Sequence, residues 1–383
     1  FTDIKAMRLT PTLARVDASP ITLCNLDLDQ NAPAVAWNGT HFLVVWVDYR
    51  NAVAPNYYCD IRGARVSATG VVSNLSSAIC NFNNNQFAPA VAACGSNFLV
   101  AWEDYRTNGA PVIYYNRVTG DGAVLDSNGI MAPAIAYYNV QPSVASDGTN
   151  YLIVWSDKRA GWSNDNIYGV RISQAGTRLD AEDIIVCSAA RDQVAPSAVW
   201  NGQNYLVAWQ DGRNWSTSSD DIYMNAVTSA GVVVDPADSL ICGAGHSERN
   251  PSVVTCGAGL GAVFYSDFLN ATYRTGGCII SEAPPVPEVT DDGIYSTLPG
   301  SLHATWTVGG VMSGNCSTGR AKSVTAPKMM VTIAMTFAKI RYSYEQDLSD
   351  TGFFLTALPR IIQAHILTIH PEWRVLQRNI NPL

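Results

Sequence analysis

The stretch that decides the fold is residues 196–227, PSAVWNGQNYLVAWQDGRNWSTSSDDIYMNAV. Related copies recur through the first two thirds of the chain, and a repeat of this length governs every local pattern inside it. The copies align on the motif Trp-x-Asp-x-Arg, whose Asp positions are 56, 53, 54 and 56 residues apart. The motif residues are Trp46, Asp48, Arg50; Trp102, Asp104, Arg106; Trp155, Asp157, Arg159; Trp209, Asp211, Arg213; and a degenerate fifth set, Tyr265 and Asp267.

Each copy predicts four antiparallel strands. In the copy quoted above, a first strand begins at Pro196 and meets a turn at Asn201-Gly202, a dipeptide that supplies the positive φ angles of a hairpin. The apolar run 205–209 predicts a buried second strand. A third strand around Ile222 and a weaker fourth strand complete the unit. Four-stranded units of about 50 residues, repeated radially, predict a β-propeller.

The chain start predicts how the ring closes. Residues 3–9 match residues 166–172, which belong to a third strand, and no first or second strand precedes them. The fifth copy degrades after Asp267. We therefore predict that residues 3–24 complete the last blade and remove its free edge. The predicted fold is all-β: a five-bladed β-propeller of four-stranded blades over residues 1–280, with the last blade closed by the N-terminus.

The repeat also resembles a known family. Ser-Asp-Lys-Arg at 156–159, Asn-Ile-Tyr at 166–168 and Ala-Gly at 175–176 are similar to the repeats of TolB-type and related bacterial extracellular propellers. The resemblance covers roughly residues 1–270. It implies an architecture rather than an activity, because propellers of this kind host many unrelated functions.

Residues 281–383 predict a second, smaller region. A stiff proline-rich linker at 283–287 is followed at 290–306 by a segment that resembles the opening of a fibronectin type III sandwich. The match ends near Gly310. We predict a β-sandwich-like domain, while a sandwich with a helical appendage, a different small domain and a tail altered by a reading-frame change remain alternatives.

Composition narrows the classes of partner. The net charge of −8 argues against nucleic acid, because phosphate binding depends on Lys and Arg. No run of 18 apolar residues is present, so we predict no membrane span. Residues 310–383 hold 8 Lys/Arg and 4 Asp/Glu, a net +4 against −8 − 4 = −12 for the remainder. This asymmetry is compatible with head-to-tail self-association through residues 310–383, which gives filaments when the rotation does not close.

Cysteine usage favours an oxidising compartment. The nine cysteines, together with a start at Phe1 inside a strand pattern, predict a mature extracellular or cell-surface protein, with the periplasm as an alternative. Cys80 and Cys94, like Cys242 and Cys256, are 14 residues apart. The inferred topology puts the two members of each pair at opposite strand ends, whereas disulfide partners need Cα atoms within about 7 Å. Both pairings therefore stay open.

One set of loops could form a ligand-binding face. In a propeller, the connections from fourth to first strand and from second to third strand emerge together around the channel. Their amides, guanidinium groups and aromatic rings could grip a glycan or an extended peptide, although Asn and Gln also close turns. Because the Trp-x-Asp-x-Arg motif recurs in four copies, we interpret it as structural. The predicted ligand-binding residues are Tyr57, Tyr58, Gln86, Gln141, Trp162, Arg191, Gln193, Trp215 and Arg249.

The alternative function is glycoside hydrolysis, which needs two carboxyl groups roughly 5 to 10 Å apart. The five first strands carry none, and the loops of this face offer only Asp27, Asp29, Asp192 and Glu248. No histidine has a partner at metal or dyad spacing. We predict no cofactor, with Asp27/Asp29 and Asp291/Asp292 as candidate calcium ligands. The sequence thus favours a non-catalytic secreted or cell-surface protein that binds glycan or protein, with a glycoside hydrolase as the alternative.

Overall fold

A computed structural model describes residues 1–52, 58–106, 110–135, 137–257, 260–269, 272–281 and 301–303. These residues form β-strands joined by turns, and they contain no helix. The expected all-β architecture of repeated four-stranded antiparallel sheets is confirmed. Within the same residues, nothing forms a helix long and apolar enough to cross a membrane.

The strands form one two-stranded and five four-stranded antiparallel sheets. The N-terminal sheet contains β1 (Ile4–Ala6) and β2 (Ile21–Cys24). Sheet I contains β3 (Gln30–Trp37), β4 (His41–Asp48), β5 (Asp60–Ser67) and β6 (Val72–Asn74). Sheet II contains β7 (Gln86–Cys94), β8 (Asn97–Asp104), β9 (Val112–Val118) and β10 (Ile130–Met131). Sheet III contains β11 (Asn139–Ser146), β12 (Asn150–Asp157), β13 (Asn166–Ser173) and β14 (Ile184–Cys187).

Sheets IV and V continue the series. Sheet IV contains β15 (Gln193–Trp200), β16 (Asn204–Asp211), β17 (Asp221–Thr228) and β18 (Ser239–Cys242). Sheet V contains β19 (Ser247–Gly257), β20 (Leu260–Leu269), β21 (Thr272–Ser281) and β22 (Ser301–His303). The first strands of successive sheets, from β3 to β19, pack side by side.

The recurring proline marks a β-bulge in each first strand. The strands begin about three residues before the proline. The predicted first strands, which start at the proline, are therefore too short. In sheet III, pairing shifts between Val140 and Ser143, and Gln141 adopts a φ of 57°. The same shift with a positive φ just before proline occurs in the other sheets. A bulge bends the strand and re-aims a side chain. The positive-φ residues are Ala32, Ala88, Gln141, Ala195 and Asn250.

In the tight turns, the two central residues are the glycine and the residue after it, rather than the predicted Asn-Gly dipeptide. In sheet I, Gly39 has a φ of 95° and holds the first central position, as in a type II′ turn. Asn38 precedes the turn, and its Oδ1 accepts hydrogen bonds from the backbone nitrogens of Thr40 (3.0 Å) and His41 (2.8 Å). The Asn-Gly signal therefore marks the hairpin correctly, with asparagine as its cap.

The hydrophobic core lies between sheets rather than at the centre of the molecule. One cluster joins Leu43 and Val45 of sheet I to Phe98 and Trp102 of sheet II, all 3% exposed or less. The second strands read as continuous apolar runs because they are buried on both faces.

An arginine on the third strand of sheets I, II and III links each of these sheets to the next. Arg117 Nη1, for example, donates to the Ala175 carbonyl of the following sheet (2.5 Å) while its Nη2 pairs with Asp126 (2.7 Å). Arg8 of the N-terminal sheet makes the same contact with Ala68 of sheet I (2.6 Å). Two further links of this kind are Arg65 to Gly120 (2.7 Å) and Arg171 to Ser229 (2.8 Å).

The N-terminal sheet therefore packs on sheet I as an outer half-sheet. Its strands do not pair with β19 or β20, because β21 and β22 fill the outer positions of sheet V. The prediction that residues 3–24 complete the fifth sheet is wrong in this respect. The reason is that β21 follows a two-residue connection and lacks the Asp-Ile or Asn-Ile pair with which β5, β13 and β17 begin.

Several sequence predictions lie outside the described residues or fail within them. The fibronectin-like segment beyond His303 and residues 310–383 are not described, so the C-terminal domain and the self-association stay predictions. Cys80 and Cys94 are both free and buried, so that pairing is absent. The other described thiols that are free are Cys24, Cys59, Cys187 and Cys242.

Candidate functional site

Strand register brings the predicted loops to one face. In sheet I, Gln30 at the start of β3 lies opposite Asp48 at the end of β4, which in turn lies opposite Asp60 at the start of β5. The other sheets repeat this arrangement. The connections from fourth to first strand and from second to third strand therefore share an edge, which we call the entrance face.

Four sheets carry the same buried clamp at this face. In sheet III, Trp155 Nε1 donates to Asp157 Oδ2 (3.0 Å), and Arg159 Nε donates to Asp157 Oδ1 (2.9 Å). Asp157 has no exposed surface. The equivalent Trp-to-Asp distances in sheets I, II and IV are 2.9, 2.8 and 2.8 Å. Each clamp satisfies a buried indole N–H and a buried carboxylate together, which is a structural role.

A buried amide accompanies the clamp. Gln30, Gln86 and Gln193 have no exposed surface. Their Nε2 atoms donate to the carbonyl two residues earlier, at 2.8, 2.9 and 2.9 Å. We predicted Gln86 and Gln193 as ligand-binding residues, and this placement corrects that prediction: they hold their own loops instead of facing solvent.

Sheet V departs from this pattern at three positions at once. Glu248 takes the glutamine position, Tyr265 takes the tryptophan position, and Leu269 stands in sequence where the clamp arginine would be. Asp267 keeps the aspartate position opposite Glu248. Sheet V therefore holds two carboxyl groups where the other sheets hold one carboxylate and its arginine.

His246 lies against both carboxyl groups. Its Nδ1 is 2.7 Å from Asp267 Oδ1 and 3.0 Å from Glu248 Oε1. None of these atoms makes a hydrogen bond of acceptable geometry, and Glu248 Oε2 also lacks a partner. Glu248 has no exposed surface and Asp267 is 6% exposed. Unpartnered buried carboxylates are strongly unfavourable, so this cluster has to be neutralised.

A proton provides that neutralisation. Burial, followed by the negative charges of Asp221 and Asp267, raises the pKa of Glu248 to about 9. At neutral pH Glu248 is therefore a neutral acid, and its O–H can replace the donor that glutamine provides in three other sheets. Sequence analysis named Glu248 as an acidic loop residue but missed His246 and Asp267, because strand pairing brings them together across 21 residues.

A cation is the other way to neutralise the cluster. Within the described part of the chain, His246, Glu248 and Asp267 are the one group of His, Cys, Asp or Glu whose ligand atoms, all within 4.8 Å of one another, could hold a metal ion. One nitrogen and two carboxylates suit a transition metal better than calcium, which takes six to eight oxygens. We assign the cluster to a proton, because protonation of Glu248 leaves a single carboxylate there. The predicted calcium ligand Asp29 instead accepts hydrogen bonds from Thr2.

Two of the predicted aromatic residues project from the entrance face. Trp162 is 70% exposed and Trp215 is 49% exposed. Trp162 meets Tyr138 edge-on at 5.2 Å between ring centroids, with Lys158 Nζ 5.5 Å from the indole ring. Tyr58 is half-buried and Tyr57 lies outside the described residues.

The remaining predicted residues differ in accessibility. Gln141 and Arg191 are exposed. The Gln141 backbone N–H donates to Glu103 Oε1 (2.8 Å), and its Oε1 accepts from the backbone nitrogen of Ala195 (2.8 Å), so this residue bridges three sheets. Arg249 donates from Nε to Asp220 Oδ2 (2.7 Å), directly beside Glu248.

Comparisons with known proteins concern the fold. No protein-family model and no curated protein matches the chain. Similar solved structures include a thermostable family-43 glycoside hydrolase, at 10% identity over 69% of this chain and 96% of that chain, with a TM-score of 0.40. Others are the catalytic domain of the Coprinopsis cinerea GH62 alpha-L-arabinofuranosidase (12%, 66% and 90%, 0.39) and an exo-1,5-alpha-L-arabinanase from a bovine ruminal metagenomic library (9%, 66% and 94%, 0.39).

These neighbours contradict the prediction of a non-catalytic protein, and we correct it. Each of them is named as a glycoside hydrolase, an arabinofuranosidase or an arabinanase, which is the class of function that we weighed as the alternative. At such identities and TM-scores the likeness transfers no residue and no substrate to this chain. Any assignment of chemistry has to come from its own side chains.

Proposed function

We propose that this protein is a glycoside hydrolase whose paired carboxyl groups are Glu248 and Asp267, in a propeller whose five blades are sheets I to V. The observation that carries the proposal is the buried carboxyl group of Glu248 opposite Asp267 at the entrance face, where burial and neighbouring charges raise the pKa of Glu248. Two carboxyl groups with opposite protonation states are what this reaction needs. An extracellular location remains part of the proposal, since glycan polymers are met outside the cell.

The short separation of the pair favours retention of configuration. The ligand oxygens of Glu248 and Asp267 lie within 4.8 Å, nearer to the roughly 5 to 5.5 Å of retaining enzymes than to the roughly 6.5 to 9.5 Å of inverting ones. Glu248 gives its proton to the glycosidic oxygen as Asp267 bonds to the anomeric carbon and the leaving group departs. Water then attacks that carbon, gives a proton to Glu248 and releases Asp267.

Access to the pair requires a movement of His246. Its side chain is 24% exposed and covers both carboxyl groups. A sugar entering from solvent has to displace this imidazole from Asp267. Glu248 then contacts the glycosidic oxygen with no bulk water between them. Exclusion of water keeps the proton on Glu248 until the glycosidic bond breaks.

Hydrolysis tests the proposal directly. We expect purified protein to release reducing ends from at least one member of a panel of arabinan, xylan, mannan and their aryl glycosides. Proton NMR of the first product should show the anomeric configuration of the substrate. Release of the opposite anomer would contradict the Glu248–Asp267 pairing, and inactivity on the whole panel would contradict the proposed function.

Chelation distinguishes neutralisation of the cluster by a proton from neutralisation by a bound metal ion. If Glu248 works as a neutral acid, treatment with excess EDTA followed by desalting should leave the rate within about twofold of the untreated enzyme. Loss of activity on chelation, restored by one divalent metal, would replace the acid–base assignment by a metal centre on the same residues. Metal content before and after treatment provides the control.

A further inference from the structure

The entrance face of sheets III, IV and V carries a set of side chains that we call the strip. It begins at Trp162 in sheet III, passes Trp215 in sheet IV and ends at Arg249 in sheet V. The two indoles leave equivalent loops, three residues after Arg159 and two after Arg213. An exposed tryptophan therefore occurs in the same loop of two adjacent sheets.

The strip is connected by short hydrogen bonds from sheet to sheet. The Asp165 backbone nitrogen donates to Asp192 Oδ1 (3.1 Å), and the Gly212 nitrogen donates to the Asp192 carbonyl (2.8 Å). Further along, the Glu248 nitrogen donates to the Asp220 carbonyl (2.8 Å). The loops that present both indoles are thus tied to the strand that carries Glu248.

The Trp162 ring contacts neighbouring side chains, and the loop that carries Trp215 is fixed by backbone hydrogen bonds. Lys158 Nζ pairs with Asp165 (2.6 Å) beneath the Trp162 and Tyr138 rings. The Trp215 loop is built on Asn214, whose carbonyl accepts from the backbone nitrogens of Thr217 (2.8 Å) and Ser218 (3.0 Å). A rigid aromatic surface loses little conformational freedom on binding, which favours flat, repeating ligands.

We propose that this strip binds a linear polysaccharide chain, so that the substrate is a polymer that spans sheets III to V. The inference rests on the proposed function for the position of the cleaved bond. Indole faces stack on the apolar faces of sugar rings, while carboxylates and the guanidinium of Arg249 take up hydroxyl groups between them. Trp162 lies in sheet III and Glu248 in sheet V, so a ligand that contacts both has to cross sheet IV.

Binding can be measured without catalysis. The inactive Glu248→Gln variant is run in native gels containing linear arabinan, xylan, mannan or polygalacturonate. One of these polymers should retard the variant. Adding either Trp162→Ala or Trp215→Ala should raise the dissociation constant for that polymer about tenfold. Leu125→Ala, an apolar side chain 46% exposed outside the strip, is the control that should leave retardation unchanged.

Chain length gives a second readout. In the active enzyme, Trp162→Ala should lower kcat/KM for the polymer about tenfold relative to kcat/KM for the aryl glycoside. Equal losses on both substrates, or no retardation by any polymer, would overturn the strip while leaving the Glu248 chemistry standing. Retardation by gelatin alone would assign the strip to peptide instead. If a polymer retards the protein but no substrate is hydrolysed, the proposed function is overturned and the strip is not.

Discussion

Glu248→Gln should abolish hydrolysis and at the same time raise thermal stability. Removal of a general acid lowers the rate by about 10²–10⁴-fold. The fold should improve, because glutamine at the equivalent position of three other sheets donates from Nε2 to a loop carbonyl at 2.8 to 2.9 Å. The substitution therefore restores the repeat while it removes the chemistry.

The stability gain has a defined pH dependence. The pKa of Glu248 is raised to about 9, whereas an unfolded glutamate titrates near 4.3. Between these values the folded state binds the extra proton, so wild-type stability falls as pH rises. Glutamine does not titrate, so the advantage of the variant should be small near pH 4 and grow towards pH 9. At pH 7 we expect roughly 4 kcal/mol, or about 10 °C in Tm.

Glu103→Gln provides a matched control. Glu103 is also buried, at 8% exposed, and burial raises its pKa. It lies in sheet II and accepts a hydrogen bond from the Gln141 backbone, away from the carboxyl pair. This variant should keep its activity. Equal activity losses in the two variants would show that burial of a carboxyl group, rather than its place beside Asp267, decides the effect.

The repeat made the architecture predictable, because most copies contain the sequence features that define a four-stranded sheet. Trp-x-Asp-x-Arg fixes the clamp, the residue before proline fixes the bulge, and Gly39-type turns fix the hairpin. Prediction failed where the fifth copy diverges: β21 carries no signature, so the N-terminus was assigned in its place. A copy-by-copy comparison still held a usable signal.

That signal was the coincidence of three substitutions. Glu248 for glutamine, Tyr265 for tryptophan and Leu269 for arginine each look like drift in a degenerate copy. Together they remove the positive charge from a clamp and add a second acid opposite its aspartate. Only the pairing of β19 with β20 shows that these changes converge, and only the three-dimensional structure shows that His246 lies against both carboxyl groups.

Asp104→Asn and Asp267→Asn should have opposite effects on stability, although the two positions are equivalent. Asp104 is 1% exposed and binds Trp102 Nε1 and the Arg106 guanidinium at 2.7 to 2.8 Å. Removing its charge leaves a largely buried arginine unpaired, which costs about 3–5 kcal/mol. We expect a fall in Tm on the order of 10 °C, measured by calorimetry at pH 7.

Asp267→Asn removes a carboxylate charge that, unlike the charge of Asp104, forms no ion pair with a clamp arginine. Its carboxylate raises the pKa of Glu248, so neutralising it lets Glu248 ionise more readily and relieves a repulsion. Tm should stay level or rise by a few degrees, while hydrolysis is lost with the nucleophile. Equal destabilisation by the two substitutions would mean that sheet V is clamped like the others, by a partner for Asp267 other than His246, and the acid pair would lose its electrostatic basis.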